Sequence, residues 1–398
     1  GFNIAIGNNA LYDNTSGDYN IGVGYESLKE ATTAIYNIAI GTESLRDVTT
    51  ESKLIAIGHE AAKVNTTGSE LVAIGYQAAT ANTTGDYLTA LGSKALTANT
   101  TGNYNVAVGF EALLVNTTGR DNTAVGSGTL KANVTGIRNT VAGYSSGMRI
   151  TGSFNTAFGV GTLEYATSGE SSSAFGTYAV GGANGVHTTG KHTGVGYKAL
   201  YYLPTGSSGG DGQTAVGYEA GHGFGNSNNS FSNTVAFGYQ ALRSQSTAAN
   251  NTGIGYQALY TASTGSYNTA VGHSALNKTT TGEKNTGIGV SALYNNTTGD
   301  ENIAMGYDAL KSNTTGYSNL GLGANALTSN TTAPNNVAVG DDSLRQNTTG
   351  ASNVALGSQS LTTNTTGSNN TALGYQALYS NTTANQNVAM GREALYSN

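Results

Sequence analysis

The chain has 398 residues, including 57 Gly, 2 Pro, no Cys and no Trp, and only 10% of its residues are charged. Its formal net charge of −6 is spread thinly with no basic stripe, which excludes a nucleic-acid partner, since that binding needs clustered Lys and Arg to displace counterions. No apolar run approaches ~18 residues, so no membrane-spanning helix is expected, and without cysteine there is no disulfide framework.

Order comes from a short repeat. The glycine in the phrase Asn-x-Ala-Val-Gly marks it, at Gly7, Gly24, Gly41, Gly58, Gly75, Gly92, Gly109, Gly126 and Gly143, always 17 residues apart. Residues 1–142 therefore read as regular rungs. From 143 to 238 the markers Gly159, Gly176, Gly196, Gly217 and Gly238 arrive at steps of 16, 17, 20, 21 and 21, so this stretch reads as irregular rungs with longer loops. Residues 239–398 return to steps of 17, from Gly255 to Gly391. Seventeen residues are too few for two helices and a turn, whereas one circuit of a β-solenoid fits. The expected fold is all-β, one parallel β-solenoid or β-roll of 23 rungs, and at about 4.8 Å per rung the rod would be roughly 110 Å long.

Within each rung the residues before the marker are strand-like, and the later Asn-Thr-Thr-Gly is turn chemistry, because Asn and Gly tolerate left-handed backbone. One residue before the marker every rung is apolar, as at Ile6, Val23, Phe158 and Met305; two before it, 17 rungs carry Ala, five Gly and one Val141. Three after it stands Ala, Ser or Thr, and four after it usually Leu. Consecutive strand residues point to opposite faces, yet neither strand position is ever charged. This predicts a strand covered on both faces, with lateral association burying the Ala/Gly face because small residues permit close approach. A homo-oligomer follows. Four before the marker lies a ladder of asparagines (Asn3, Asn20, Asn37, Asn105, Asn122, Asn268, Asn285, Asn370), whose amides are expected to hydrogen-bond along the stack.

The phrases Asn3-Ile4-Ala5-Ile6-Gly7, Asn37-Ile38-Ala39-Ile40-Gly41 and Asn105-Val106-Ala107-Val108-Gly109, each with Ala or Ser three residues on, resemble the head repeats of trimeric autotransporter adhesins. The longer unit ending in Asn-Thr-Thr-Gly is similar to the repeat arrays of bacterial and phage tail fiber domain proteins. The resemblance covers the whole chain and implies a left-handed parallel β-roll, three chains packed side by side, and an extracellular or cell-surface setting, with a virion as the alternative. The rung here is longer than the adhesin head repeat, and no coiled-coil stalk, anchor or chaperone domain is found.

No catalytic constellation, cofactor motif or metal-ligand spacing is present, so the chain reads as non-enzymatic. The Gly-x-Gly phrases, such as Gly22-Val23-Gly24, are rung grammar without a following helix to hold a phosphate. Loops on a rigid scaffold are where binding concentrates, and in the irregular stretch the candidate contact residues are His187, His192, Gly209, His222 and Phe224. The Asn-Thr-Thr turns also match the Asn-x-Ser/Thr acceptor pattern, which makes Asn65, Asn82, Asn99, Asn116, Asn313, Asn347 and Asn364 candidate glycosylation sites. Tyrosines recur one and five residues after the marker, offering a stripe for a glycan or surface receptor. The expected function is a structural fibre or filament segment with an attachment role, and the chief alternative is a phage tail-fibre shaft for host recognition. Open solenoid ends raise end-to-end stacking, and regular Thr pairs raise an ice-binding solenoid as a further alternative.

Overall fold

The computed structural model describes residues 1–181, 190–203, 212–223 and 232–397. Among the described residues there are 23 strands and no helix, and the fold is an all-β parallel solenoid of about 17 residues per turn. Each strand is three residues long, apart from Leu71–Ile74 and Leu88–Leu91, which have four. Two compact units are present, Gly1–Gly194 and Val195–Asn398.

In the first unit the strands run from Ile4–Ile6 to Ser173–Phe175, each paired in parallel with the next. Partners are 17 residues apart, as in Ile4↔Ile21, except at Thr140↔Thr156, where one residue is missing from the turn. In the second unit Thr214 pairs with Val235 across a longer rung, and from Val235↔Thr252 to Thr371↔Val388 the offset is again 17.

The marker glycine has a steric reason. Its φ lies near +130°, at +131° for Gly289 for example, and a Cβ there would come 2.5 Å from the Gly306 carbonyl oxygen of the next rung. Left-handed backbone also recurs at three non-glycine positions per rung, as at Tyr19 (φ 60°), Glu26 (φ 54°) and Leu28 (φ 50°). A bulky residue in this region is strained by about 1–2 kcal/mol. The leucine is held there by burial and ladder bonding: Leu28 is fully buried, and its N–H donates to Ser44 O at 3.1 Å.

The interior corrects the expected face assignment. The Ala/Gly position does not await a partner; it is the inside of the roll, with Ala39, Ala124, Ala270 and Ala338 all at 0% exposure. It packs with the Ala/Ser position and the leucine four after the marker. A Cβ on Gly287, for example, would meet Leu276 Cγ and the Ala292 carbonyl, both at 3.2 Å. The strand's other face is not covered. Its side chains one and three before the marker point outward, with Leu91 43%, Val125 41%, Phe237 52% and Met305 40% exposed. The solid core of a regular rung is one leucine and two small residues, completed by asparagine.

Candidate functional site

Three surfaces are candidates: the outward sheet face, the aromatic ladders, and the irregular rungs. The outward face is continuous within each unit because the register stacks like on like. In the second unit Thr252, Thr269 and Thr286 stack beside Ile254, Val271 and Ile288. Across all 23 strands neither outward position carries a charge. Contiguous uncharged surfaces rich in apolar side chains are uncommon on monomeric proteins, which makes this face a candidate contact surface.

The Asn-Thr-Thr asparagines are placed inside. Asn65, Asn82, Asn99, Asn116, Asn313, Asn347 and Asn364 are all at 0% exposure. Asn313 Nδ2 donates to Asn296 Oδ1 at 2.8 Å and to Gly316 O at 2.9 Å; Asn82, Asn99, Asn116, Asn347 and Asn364 make the same pair of bonds, and Asn65 donates to Gly68 O at 2.8 Å. The nitrogen to which a sugar would be joined is thus committed to the interior, with no room for a glycan. The sequence carries a signal of this placement: Ala31, Val48, Ile150, Ala166 and Ala262 replace the asparagine in other rungs and are buried, as an exposed turn residue would not be.

The asparagines four before the marker form the expected ladder. Asn302 Nδ2 donates to Gly316 O at 2.8 Å and to Asn285 Oδ1 at 3.1 Å, and its Oδ1 accepts the Asn319 backbone N–H at 3.1 Å. Two amide ladders therefore converge on the same turn carbonyl. The first turn threonine bonds along the stack as well, with Thr297 Oγ1 donating to Thr314 O at 3.0 Å.

Of the candidate contact residues, His187, Gly209 and Phe224 lie outside the described residues. His192 does not sit on a contact loop. It takes the asparagine-ladder position, is 1% exposed, and its carbonyl accepts the Ser173 N–H at 2.8 Å. His222 is also buried, at 8% exposure, between Tyr201 (ring centroids 5.5 Å) and Tyr202 (4.9 Å, edge-on), and its Nδ1–H donates to Gly223 O at 3.1 Å. Burial pushes its pKa below the usual imidazole value, against the opposing pull of the Gly223 bond and Glu219.

The tyrosines stack on each other. Tyr197, Tyr218, Tyr239, Tyr256 and His273 form a column with centroids 4.8–5.3 Å apart. A second column, five before the marker, holds Phe2, Tyr19 and Tyr36 and the pair Tyr87–Tyr104. Because the ring faces inside each column are occupied by neighbouring rings, the columns offer edges and hydroxyls rather than faces for sugars to stack on. Beside the first column run acid–base pairs from positions two and five after the marker. Lys29 lies 3.1 Å from Glu26, and that hydrogen bond holds the Glu26 carboxyl below its usual pKa.

The chain matches no protein-family model and no curated protein sequence. Among the described residues no helix is long and apolar enough to cross a membrane, and no group of three or more His, Asp or Glu is arranged to hold a metal ion.

Proposed function

We propose that this chain is a segment of an extracellular or cell-surface fibre, assembled laterally from copies of itself and presenting its flanks for attachment. One observation carries the reading: the outward sheet face is apolar or hydroxylic in every rung, never charged, and partly exposed in the single chain, reaching about two-fifths at positions such as Leu91, Val125 and Met305. Covering the exposed two-fifths of an aliphatic side chain is worth about 0.6–1.2 kcal/mol. With one or two such side chains per rung, about ten rungs supply roughly 10 kcal/mol or more, comparable to the 4–15 kcal/mol cost of association.

The partner is a second copy of the chain, because the stripe repeats at the rung spacing and an identical stripe matches it rung for rung. The resemblance to adhesin heads favours three chains around one axis and a setting outside the cell. The low charge and the lack of cysteine suit a passive, disulfide-free scaffold. Light scattering of the purified chain tests the reading. A mass of two or more chains that persists on dilution supports it, and a stably folded single chain at all concentrations refutes it.

A further inference from the structure

On one flank of the roll the chain neutralises its own half-buried carboxylates. Position two after the marker is often acidic and position five basic: Arg46–Glu43 and Lys63–Glu60 are each 2.9 Å apart, as is Lys311–Asp308. Where the base is missing from the same rung, the next supplies it, at 2.7 Å for both Lys131–Glu111 and Arg243–Glu219. The rung marked by Gly159 departs from this order, with an acid at the fifth position and no base at the second. Its fifth position is Glu164 and its second is Gly161, with Ser145 at the second position of the rung before.

Beside Glu164 lies a cavity of about 150 Å³ lined by Tyr144, Ser145, Val160, Gly161, Glu164 and Tyr178. Gly161, at φ +60°, is what lets it form. A Cβ there would fall 2.6 Å from the Tyr178 ring and 3.3 Å from Glu164 Oε2, so the carboxylate lies beside the space a side chain would fill. Glu164 makes no ion pair among the described residues. The guanidinium of Arg149, whose charge acts on Glu164, lies 4.9 Å from the centre of the Tyr165 ring. Burial raises the Glu164 pKa, opposed by Arg149.

We propose that this cleft binds an alkylammonium group, either the tip of a lysine side chain on a partner protein or a free primary amine. A carboxylate in a partly desolvated recess is completed by a cation, and two phenol rings, those of Tyr144 and Tyr178, line the same cavity and add attraction for a cation. The chain uses the same chemistry internally: Lys198 Nζ lies 5.3 Å from the centre of the Tyr197 ring and 5.0 Å from that of Tyr201, and Lys278 Nζ lies 5.0 Å over Tyr294. A neutral sugar would leave the Glu164 charge uncompensated. The cleft shares no residue with the outward positions of the strands, so it stands or falls independently of self-association.

The test titrates the full chain with Nα-acetyl-lysine amide, its Nε-acetylated counterpart, n-butylammonium and methyl glucoside, followed by NMR shifts. Saturable binding of the two ammonium probes is expected, with neither neutral probe competing. Glu164→Gln should weaken binding about tenfold, since a hydrogen bond to a charged group contributes that much or more. Tyr144→Ala, at an exposed position that leaves the fold intact, should weaken it several-fold, while Glu301→Gln on the open surface changes nothing. Binding should also fall on acidification, at a higher pH than for an ordinary glutamate, because a raised pKa takes up its proton earlier. Preference for the lysine amide over n-butylammonium assigns the site to a protein side chain, and equal binding assigns it to free amines. Equal affinity for the Nε-acetylated probe, or undiminished binding by Glu164→Gln, overturns the proposal.

Discussion

The outward face makes a prediction that separates assembly from folding. Ile254 and Ile288 stand one before their markers and are 39% and 37% exposed in the single chain. Lysine at either position keeps its ammonium in water while the chain is alone, so the folded monomer should lose at most about 1 kcal/mol per site, the span of strand propensity. In a lateral assembly the same ammonium enters an apolar seam without a counter-charge, at a cost of several kcal/mol. Taking about 2 kcal/mol per site gives about 4 kcal/mol for the pair, roughly a thousandfold in association. The double variant Ile254→Lys/Ile288→Lys should therefore sediment as a single chain with unchanged far-ultraviolet circular dichroism. Thr298→Lys, on the exposed Asn-Thr-Thr turn, should keep the parent mass. The interior control is Ala270→Lys, at 0% exposure, which should unfold its neighbourhood outright. If the double variant retains the parental mass while folded, the seam lies elsewhere and the assignment of this face is wrong.

Gly289→Ala should cost several kcal/mol, because its Cβ would press within 2.5 Å of the Gly306 carbonyl in a backbone region closed to L side chains; Gly287→Ala, where most rungs already carry Ala, should change stability far less, as read by denaturant titration. His222 has a depressed folded pKa, so the unfolded chain takes up a proton that the folded chain refuses. Stability should fall as pH drops below about 6.5, the unperturbed imidazole value, and a thermal melt of His222→Gln at pH 7 and pH 5 should show a smaller loss than the parent. Asn302→Leu removes the acceptor of the Asn319 N–H and a donor to Gly316 O, for about 2 kcal/mol. Adding Asn319→Leu should cost less than the sum of the two single changes, measured as a double-mutant cycle.

The fold was legible because the chain repeats itself. A glycine returning every 17 residues beside a three-residue apolar strand leaves few architectures, and the solenoid with its amide ladder four before the marker follows directly. Which strand face turns inward was not legible from alternation, which says only that Ala270 and Val271 point apart. A better clue was tolerance of size. The position two before the marker is almost uniformly Ala or Gly, as an enclosed space requires, while the position one before it ranges from Ala142 to Phe158 and Met305, as an open one permits. The burial of the Asn-Thr-Thr asparagines was not legible for a related reason. Asn is favoured in exposed turns as well as in buried amide ladders, and only replacements such as Val48 and Ile150 point to the interior. The cleft at Glu164 left a trace in the sequence as an acid at position five, found in no other rung, but a single such residue among 23 rungs has no meaning until the cavity beside Gly161 is seen.

The ladders also explain why the rung varies in blocks. In the first unit the position four before the marker reads Asn3, Asn20, Asn37, then Leu54, Leu71, Leu88, then Asn105, Asn122, Asn139, Asn155. The first leucine is inexpensive, because Asn37 Oδ1 still accepts the Leu54 N–H at 2.8 Å. The next rung is where the amide acceptor is missing, and there the backbone takes over: the strands Leu71–Ile74 and Leu88–Leu91 are one residue longer, pairing Leu71 with Leu88. A single leucine among asparagines would lose the amide acceptor without a leucine neighbour to extend the pairing, whereas a run of leucines exchanges side-chain bonds for main-chain ones and fills the interior. The stabilising terms lie between neighbouring rungs, as in other solenoids, so substitutions are tolerated when adjacent rungs change together. The same nearest-neighbour logic closes the Asn105–Asn155 block, where Asn155 Oδ1 accepts the Ser172 N–H at 3.1 Å. Beyond it the ladder position passes to Ser172 and then His192, whose imidazole is held in the interior as one more member of the stack.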